Sequence, residues 1–213
     1  METKYTIYEK KGNIAYVTMN RPEVGNALHE PADIEMFEIW QDFLNDPEMW
    51  VAILTGSGDK FFSTGHDLRS HHEHIEKGKG GASPFAAAKG GFGGLAYLNP
   101  HKPIIAAVNG YALAGGFEIL LPCDIIVAAD HAQFGLPEPR VGVVSVGGGA
   151  TRLIRQVPWR HAMAILLTGK RFSAQEMLNF GMINEVVPAA QLMDRAEWWA
   201  NEILQAAPLA VWG

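Results

Sequence analysis

Cysteine is nearly absent. Cys123 stands alone among 213 residues, so no disulfide can form within the chain, and a cysteine-built structural metal site is excluded. No apolar run approaches the eighteen or so residues needed to cross a bilayer, and the opening Met-Glu-Thr-Lys-Tyr has no apolar stretch of signal-peptide length. A soluble, cytoplasmic protein without membrane partners is the expectation. Positive charge is also in deficit, with a formal net charge of −6, which argues against nucleic acid as a partner. Charged residues make up 19% and hydrophobic ones 48%, ordinary globular usage, so wholesale disorder is excluded.

What is present reads as alternating strand and helix. Tyr5–Lys10 and Ile14–Met19 form two short strands split by the turn Lys11-Gly12-Asn13. From Pro31 to Leu44, apolar Ile34, Phe37, Ile39, Trp40, Phe43 and Leu44 recur at helical spacing. Val51–Thr55, Pro103–Val108 and Ile125–Ala129 are compact apolar runs that end in small or polar turn residues, as strands do. Ser173-Ala174-Gln175-Glu176 has the form of a helix-capping box. Ala189–Ala207 keeps helical periodicity, with Pro208 as its expected stop. The sum is an α/β chain. Lys77–Gly94 differs: seven glycines with little to bury predict a mobile loop or lid, or else a surface insertion with no role.

Three segments hold residue types that could do chemistry. In Asn109–Glu118, the paired glycines Gly115 and Gly116 at a strand-to-helix junction allow a sharp turn and the close approach of a ligand. The helix beginning there aims N–H groups at an oxygen gaining negative charge, with Glu118 within one turn. The alternative is a tight turn with a solvated glutamate. In Phe134–Gly142, Glu138 lies between Pro137 and Pro139, which stiffen its backbone and suit it to acid/base work. Two carboxylates in one apolar pocket would hold unequal pKa values, one serving as base and one as acid, though the spacing equally permits two unrelated surface acids. In Phe61–Leu68, a small-residue turn offers further backbone N–H groups near Gly65 and His66.

Together these segments resemble the crotonase, or enoyl-CoA hydratase/isomerase, family. The resemblance starts at Asn20-Arg21-Pro22-Glu23-Val24-Gly25-Asn26-Ala27-Leu28 and continues through Phe61–Leu68 and the long block from Pro103 to Gly142. It ends in Leu167–Pro188 and so covers essentially the whole chain. It implies a spiral of repeated ββα units with C-terminal helices, assembled as homotrimers that often pair into hexamers. Residues 1–188 would be the core, and 189–213 the start of a C-terminal helical trimerisation segment that is short or incomplete at Gly213.

The same resemblance implies an acyl-CoA thioester substrate, no separate cofactor and no metal. Its carbonyl oxygen would lie between the N–H groups of His66 and Gly115, with Glu118 and Glu138 as the catalytic carboxylates. The parts around Glu23 and Val24, and around Ser63, Gly65, His66, Asp67 and Leu68, resemble those that cradle coenzyme A. Retention of both glutamates favours a hydratase. The segment Phe134–Gly142 is similar to carnitinyl-CoA dehydratase-like members, and isomerase activity or a catalytically silent binding subunit are further alternatives.

Two departures from the family pattern stand out: the bulky His66 where a small residue is common, and the turn Val144–Gly149 where many hydratases carry a proline. A histidine cluster at His71, His72 and His74 could in principle bind a metal, but such clusters are mostly solvated helix faces. The Gly90–Gly94 and Gly147–Gly149 runs match neither nucleotide-binding glycine pattern. Cys123 is expected in the core, and Trp198 and Trp199 cannot both face it.

Overall fold

The apolar runs become the interior strands of a sheet covered on both faces. The structure is a computed structural model that describes residues 2–69 and 89–212. The chain opens with the hairpin β1 (Thr6–Lys11) and β2 (Ile14–Met19), followed by helix α1 (Glu30–Asn45) and strand β3 (Val51–Gly56). Next come β4 (Phe61–Ser63), β5 (Ile104–Val108), β6 (Tyr111–Leu113) and the single-turn helix α2 (Gly115–Glu118). The last strands and helices are β7 (Ile125–Ala129), β8 (Gln133–Gly135), α3 (Leu153–Gln156), α4 (Trp159–Thr168), β9 (Phe172–Ser173), α5 (Ala174–Asn179), β10 (Glu185–Val187), α6 (Leu192–Leu204) and α7 (Pro208–Val211).

Two sheets result. One has six strands in the order β1-β2-β3-β5-β7-β10, parallel from β2 onward; the other has four, in the order β4-β6-β8-β9. Each of the strand pairs β3–β4, β5–β6 and β7–β8 sends its first member to the large sheet and its second to the small one. This is the ββα spiral that the resemblance implies.

A strand buried on both faces has no polar side to alternate with, which is why β3, β5 and β7 read as unbroken apolar runs. In β5, Ile104, Ala106 and Val108 enter the core shared with α1 and the small sheet. Ile105 and Ala107 point the other way, into a second cluster closed by Leu192, Ala196 and Ala200 of α6. Cys123 is half-buried against the first cluster, its thiol donating to the Ile119 carbonyl at 3.3 Å. Trp199 packs on the second cluster and donates to Glu185 Oε2 at 3.2 Å, whereas Trp198 is 41% exposed under the Arg195 guanidinium.

The capping box forms as expected. Ser173 Oγ accepts from the Glu176 N–H at 3.2 Å, and Glu176 Oε2 accepts from the Ser173 N–H at 2.8 Å. Two expectations need correction. The predicted loop over Lys77–Gly94 lies outside the described residues up to Ala88, but its end, Gly90–Gly94, expected to have little to bury, is itself buried and packed against α1. A Cβ on Gly94 would stand 2.3 Å from the Phe37 nitrogen, so glycine here permits packing on a helix backbone where it had suggested looseness. Likewise Pro208 is not a bare stop: α6 ends at Leu204, and Pro208 starts α7, a position whose missing N–H costs nothing.

Candidate active site

Two buried amides set the geometry of the first strand-to-strand crossing. Asn109, just past β5, donates from Nδ2 to the carbonyls of Gly56 at 2.8 Å and Gly58 at 2.7 Å. Asn26 donates to Ser57 at 3.0 Å and Phe61 at 2.8 Å, and accepts from the Arg21 N–H at 3.0 Å. Between them they hold the turn from β3 into β4, and β4 delivers Ser63–Asp67.

Ser63 Oγ donates to the Asn26 carbonyl at 2.9 Å and accepts from the Gly65 N–H at 3.2 Å. On either side of His66, the Gly65 carbonyl accepts from the Leu28 N–H at 2.9 Å and the Asp67 N–H donates to the Leu28 carbonyl at 2.8 Å. The main chain at His66 is thus one rung of a parallel bridge with Leu28.

The second crossing brings Gly115 to the same place. The sequence suggests one strand running into a helix; the structure inserts β6, and then Ala114 turns the chain at φ +52° into α2. Gly115 is the first residue of α2, where no preceding helical carbonyl is available to its N–H. A Cβ on Gly65 would lie 2.9 Å from the Gly115 nitrogen, so the Gly65–His66 and Ala114–Gly115 segments touch. A Cβ on Gly115 would lie 2.8 Å from the Phe92 ring, which explains the glycine there.

Glu118 closes α2 and is 3% exposed; its Oε1 accepts from the Gly149 N–H at 2.9 Å. Burial pushes its pKa up to about 7; the charge of Glu138 adds to this, while the N–H groups of Gly149 and Gly147 oppose it. Glu138 opens the 3-10 turn Glu138–Val141 and is also buried. Burial raises its pKa as well, against its own backbone N–H and the Ser145 hydroxyl. Its Oε2 is buried without a hydrogen-bond partner among the described residues. One carboxylate is therefore held by protein donors, while the other presents an unsatisfied oxygen, and a buried acceptor of that kind calls for a water or ligand. Neighbouring acids in such unlike settings can divide the roles of proton donor and acceptor.

Glu118, Glu138, Gly115, Gly65 and His66 thus come together. Ser63 and Asp67 are engaged within the protein, Ser63 in the turn and Asp67 in an ion pair with Arg21 at 3.0 Å. Val24 is half-buried and Glu23 exposed on the 3-10 turn Pro22–Val24; this turn abuts the site segment through Gly25, whose carbonyl accepts from the Thr64 N–H at 3.0 Å. Leu68 is exposed.

Ser145, Gly147 and Gly149 are site residues that sequence reasoning missed. Their one signal was the unusual turn after Glu138. A Cβ on Gly147 would sit 2.6 Å from Glu118 Oε2, which is why this turn is glycine-rich. No group of three or more metal-ligating side chains converges among the described residues, and His71, His72 and His74 lie outside them.

The sequence profile described as enoyl-CoA hydratase/isomerase matches residues 9–212. The chain belongs to this family. Similar curated members include the carnitinyl-CoA dehydratase of Escherichia coli, 43% identical over 204 residues, which are 95% of this chain and 75% of that protein. The carnitinyl-CoA dehydratase of Citrobacter koseri is 43% identical over 206 residues, 96% of this chain and 76% of that one.

Among solved family structures, a carnitinyl-CoA dehydratase from Mycobacterium avium superposes with a TM-score of 0.89 at 39% identity, covering 99% of this chain and 80% of that one. An enoyl-CoA hydratase from Mycobacterium tuberculosis does so at 0.89 and 35% identity, covering 98% and 79%. Among the described residues no helix is long and apolar enough to cross a membrane.

Proposed function

We propose that this chain is a hydro-lyase that reversibly adds water across the 2,3 double bond of an acyl-CoA thioester. The observation that carries the reading is the pair Glu118 and Glu138, both buried, the charge of Glu138 raising the pKa of Glu118, which closes the helix whose first N–H belongs to Gly115. In this reading the thioester oxygen accepts from the N–H groups of His66 and Gly115. Such a donor is worth roughly 3 kcal/mol as the carbonyl becomes an enolate. A water held by the two glutamates gives a proton to one of them as its oxygen bonds to C3. A proton then reaches C2, so that one water is consumed and no redox change occurs.

Coenzyme A would run past the Pro22–Val24 turn and the Ser63–Leu68 segment. Assembly as a homotrimer or a pair of trimers goes with this reading; Val141, Val143, Val144 and Val146, all more than half exposed beside Glu138, are the surface such a neighbour or an acyl group would cover.

A narrower reading has separate support. The 43% identity to carnitinyl-CoA dehydratases favours a substrate whose acyl chain ends in a quaternary ammonium. One assay tests both: the purified protein is mixed with crotonyl-CoA or crotonobetainyl-CoA, and loss of the conjugated-thioester absorbance is followed. Loss with crotonyl-CoA supports a general hydratase, and loss with the cationic thioester alone supports the specialised one. Binding of both without loss would favour a silent binding subunit and overturn the enzymatic reading.

A further inference from the structure

Far from the two glutamates in sequence, α1 carries a third buried acid that the reaction does not use. Asp33 is 1% exposed in the first turn of α1. Its Oδ1 accepts from the Gly93 N–H at 2.7 Å, while Oδ2 is buried with no hydrogen-bond partner among the described residues. One face of α1 holds both ends of the same glycine, because Trp40, seven residues on, donates from Nε1 to the Gly93 carbonyl at 3.0 Å. Between those two grips Gly94 lies on the helix backbone at Phe37. The residue before Gly93 is Phe92, fully buried, and its ring is what a Cβ on Gly115 would strike at 2.8 Å.

We propose that Asp33 is a positioning residue for the oxyanion donor at Gly115, acting through the Gly93 peptide and the ring of Phe92. The inference rests on the reading of Gly115 given above and adds to it the element that fixes the donor in place. A carboxylate is a costly way to tie down a loop. Burial pushes Asp33 up to about 7, with the Gly93 N–H opposing and the charge of Glu30 adding, and an unsatisfied buried oxygen is something stability alone selects against. The Asp33 side-chain oxygen is nonetheless a fixed acceptor for that N–H, held in place by the first turn of α1. Rigidity at Gly93 passes to Phe92, and Phe92 leaves the start of α2 no room to shift. A displacement of about 1 Å at a reacting group is enough to cost roughly 10²-fold in rate.

The test uses the full chain and a probe that needs no turnover: a cinnamoyl-CoA thioester with an electron-donating para substituent. Its absorption moves to longer wavelength when the carbonyl oxygen accepts hydrogen bonds. Bound to the wild-type protein it is expected to shift. Asp33→Ala should bind it but lose at least about half of the shift, with kcat on the active thioester down roughly ten- to hundredfold and KM little changed. Asp33→Asn, which keeps the acceptor oxygen, should restore most of both. Phe92→Leu should reproduce the loss, and the double variant should be no worse than Phe92→Leu alone.

A full shift and full kcat in Asp33→Ala, or losses that multiply in the double variant, would overturn the proposal. Should Asp33→Ala not fold, an undiminished shift in Phe92→Leu overturns it equally. A wild-type protein that binds the probe without any shift fails the Gly115 reading along with it, whereas a shifted wild type and an equally shifted Asp33→Ala fail the role of Asp33 alone.

Discussion

The Gly149 N–H donates to Glu118 Oε1 at 2.9 Å across 31 residues of chain. That bond joins the end of α2 to the turn after Glu138, and the same turn supplies the Ser145 hydroxyl beside Glu138. One loop therefore tunes both acids, from opposite ends.

Glu138→Gln keeps the shape of the site and removes its unsatisfied ionisable oxygen. Turnover should fall by about 10² to 10⁴, with binding of the CoA thioester nearly unchanged. Steady-state kinetics alongside calorimetric binding measure the two separately, and equal turnover would remove Glu138 from the chemistry.

Gly147→Ala places a methyl group 2.6 Å from Glu118 Oε2. The carboxylate or the loop must move, so kcat should drop on the order of tenfold to a hundredfold while the fold survives. Circular dichroism and kcat together separate this from unfolding. Unchanged kcat would show that the loop yields freely.

Ser145→Ala takes away a hydroxyl that holds the pKa of Glu138 down against burial. The limb of the pH–rate profile that belongs to Glu138 should move to higher pH. A profile that stays in place, or moves to lower pH, would contradict the contact.

Glu118 binds its proton more tightly folded, at about 7, than at its ordinary value of 4.5. A raised carboxylate pKa makes the native state hold more protons between those values, so this group's contribution to stability falls as pH climbs from 4.5 to 7 and stays low above. Glu118→Gln should thus gain stability relative to wild type as pH rises, up to roughly 3 kcal/mol by pH 8 and little at pH 4. Urea unfolding at the two pH values checks this, and a difference independent of pH would show that Glu118 is not perturbed.

Much of this was readable in advance, and the misses share a physical cause. The runs Val51–Gly56, Ile104–Val108 and Ile125–Ala129 are apolar on both faces because two cores flank one sheet, and α1 shows its periodicity over four turns. Strands β4, β6, β8 and β9 are two or three residues long, too short for any period to register. Glu118 and Glu138 stood out by their neighbours, Gly115–Gly116 and Pro137–Pro139. Gly147, Gly149 and Asp33 did not, since each meets a partner far away in sequence, Glu118 for the two glycines and Gly93 for Asp33. Ser145 lies only seven residues from Glu138, but nothing in a serine after an irregular turn marks that contact. The glycines of Gly90–Gly94 misled for the same reason, because a residue without a side chain looks alike in a loose loop and in a tight backbone crossing.

The bridge between Leu28 and His66 fixes position 66 by main-chain atoms of its neighbours, bonds that any side chain there would allow. The residue at this position can therefore differ between related chains while the peptide itself stays where the neighbouring rungs put it.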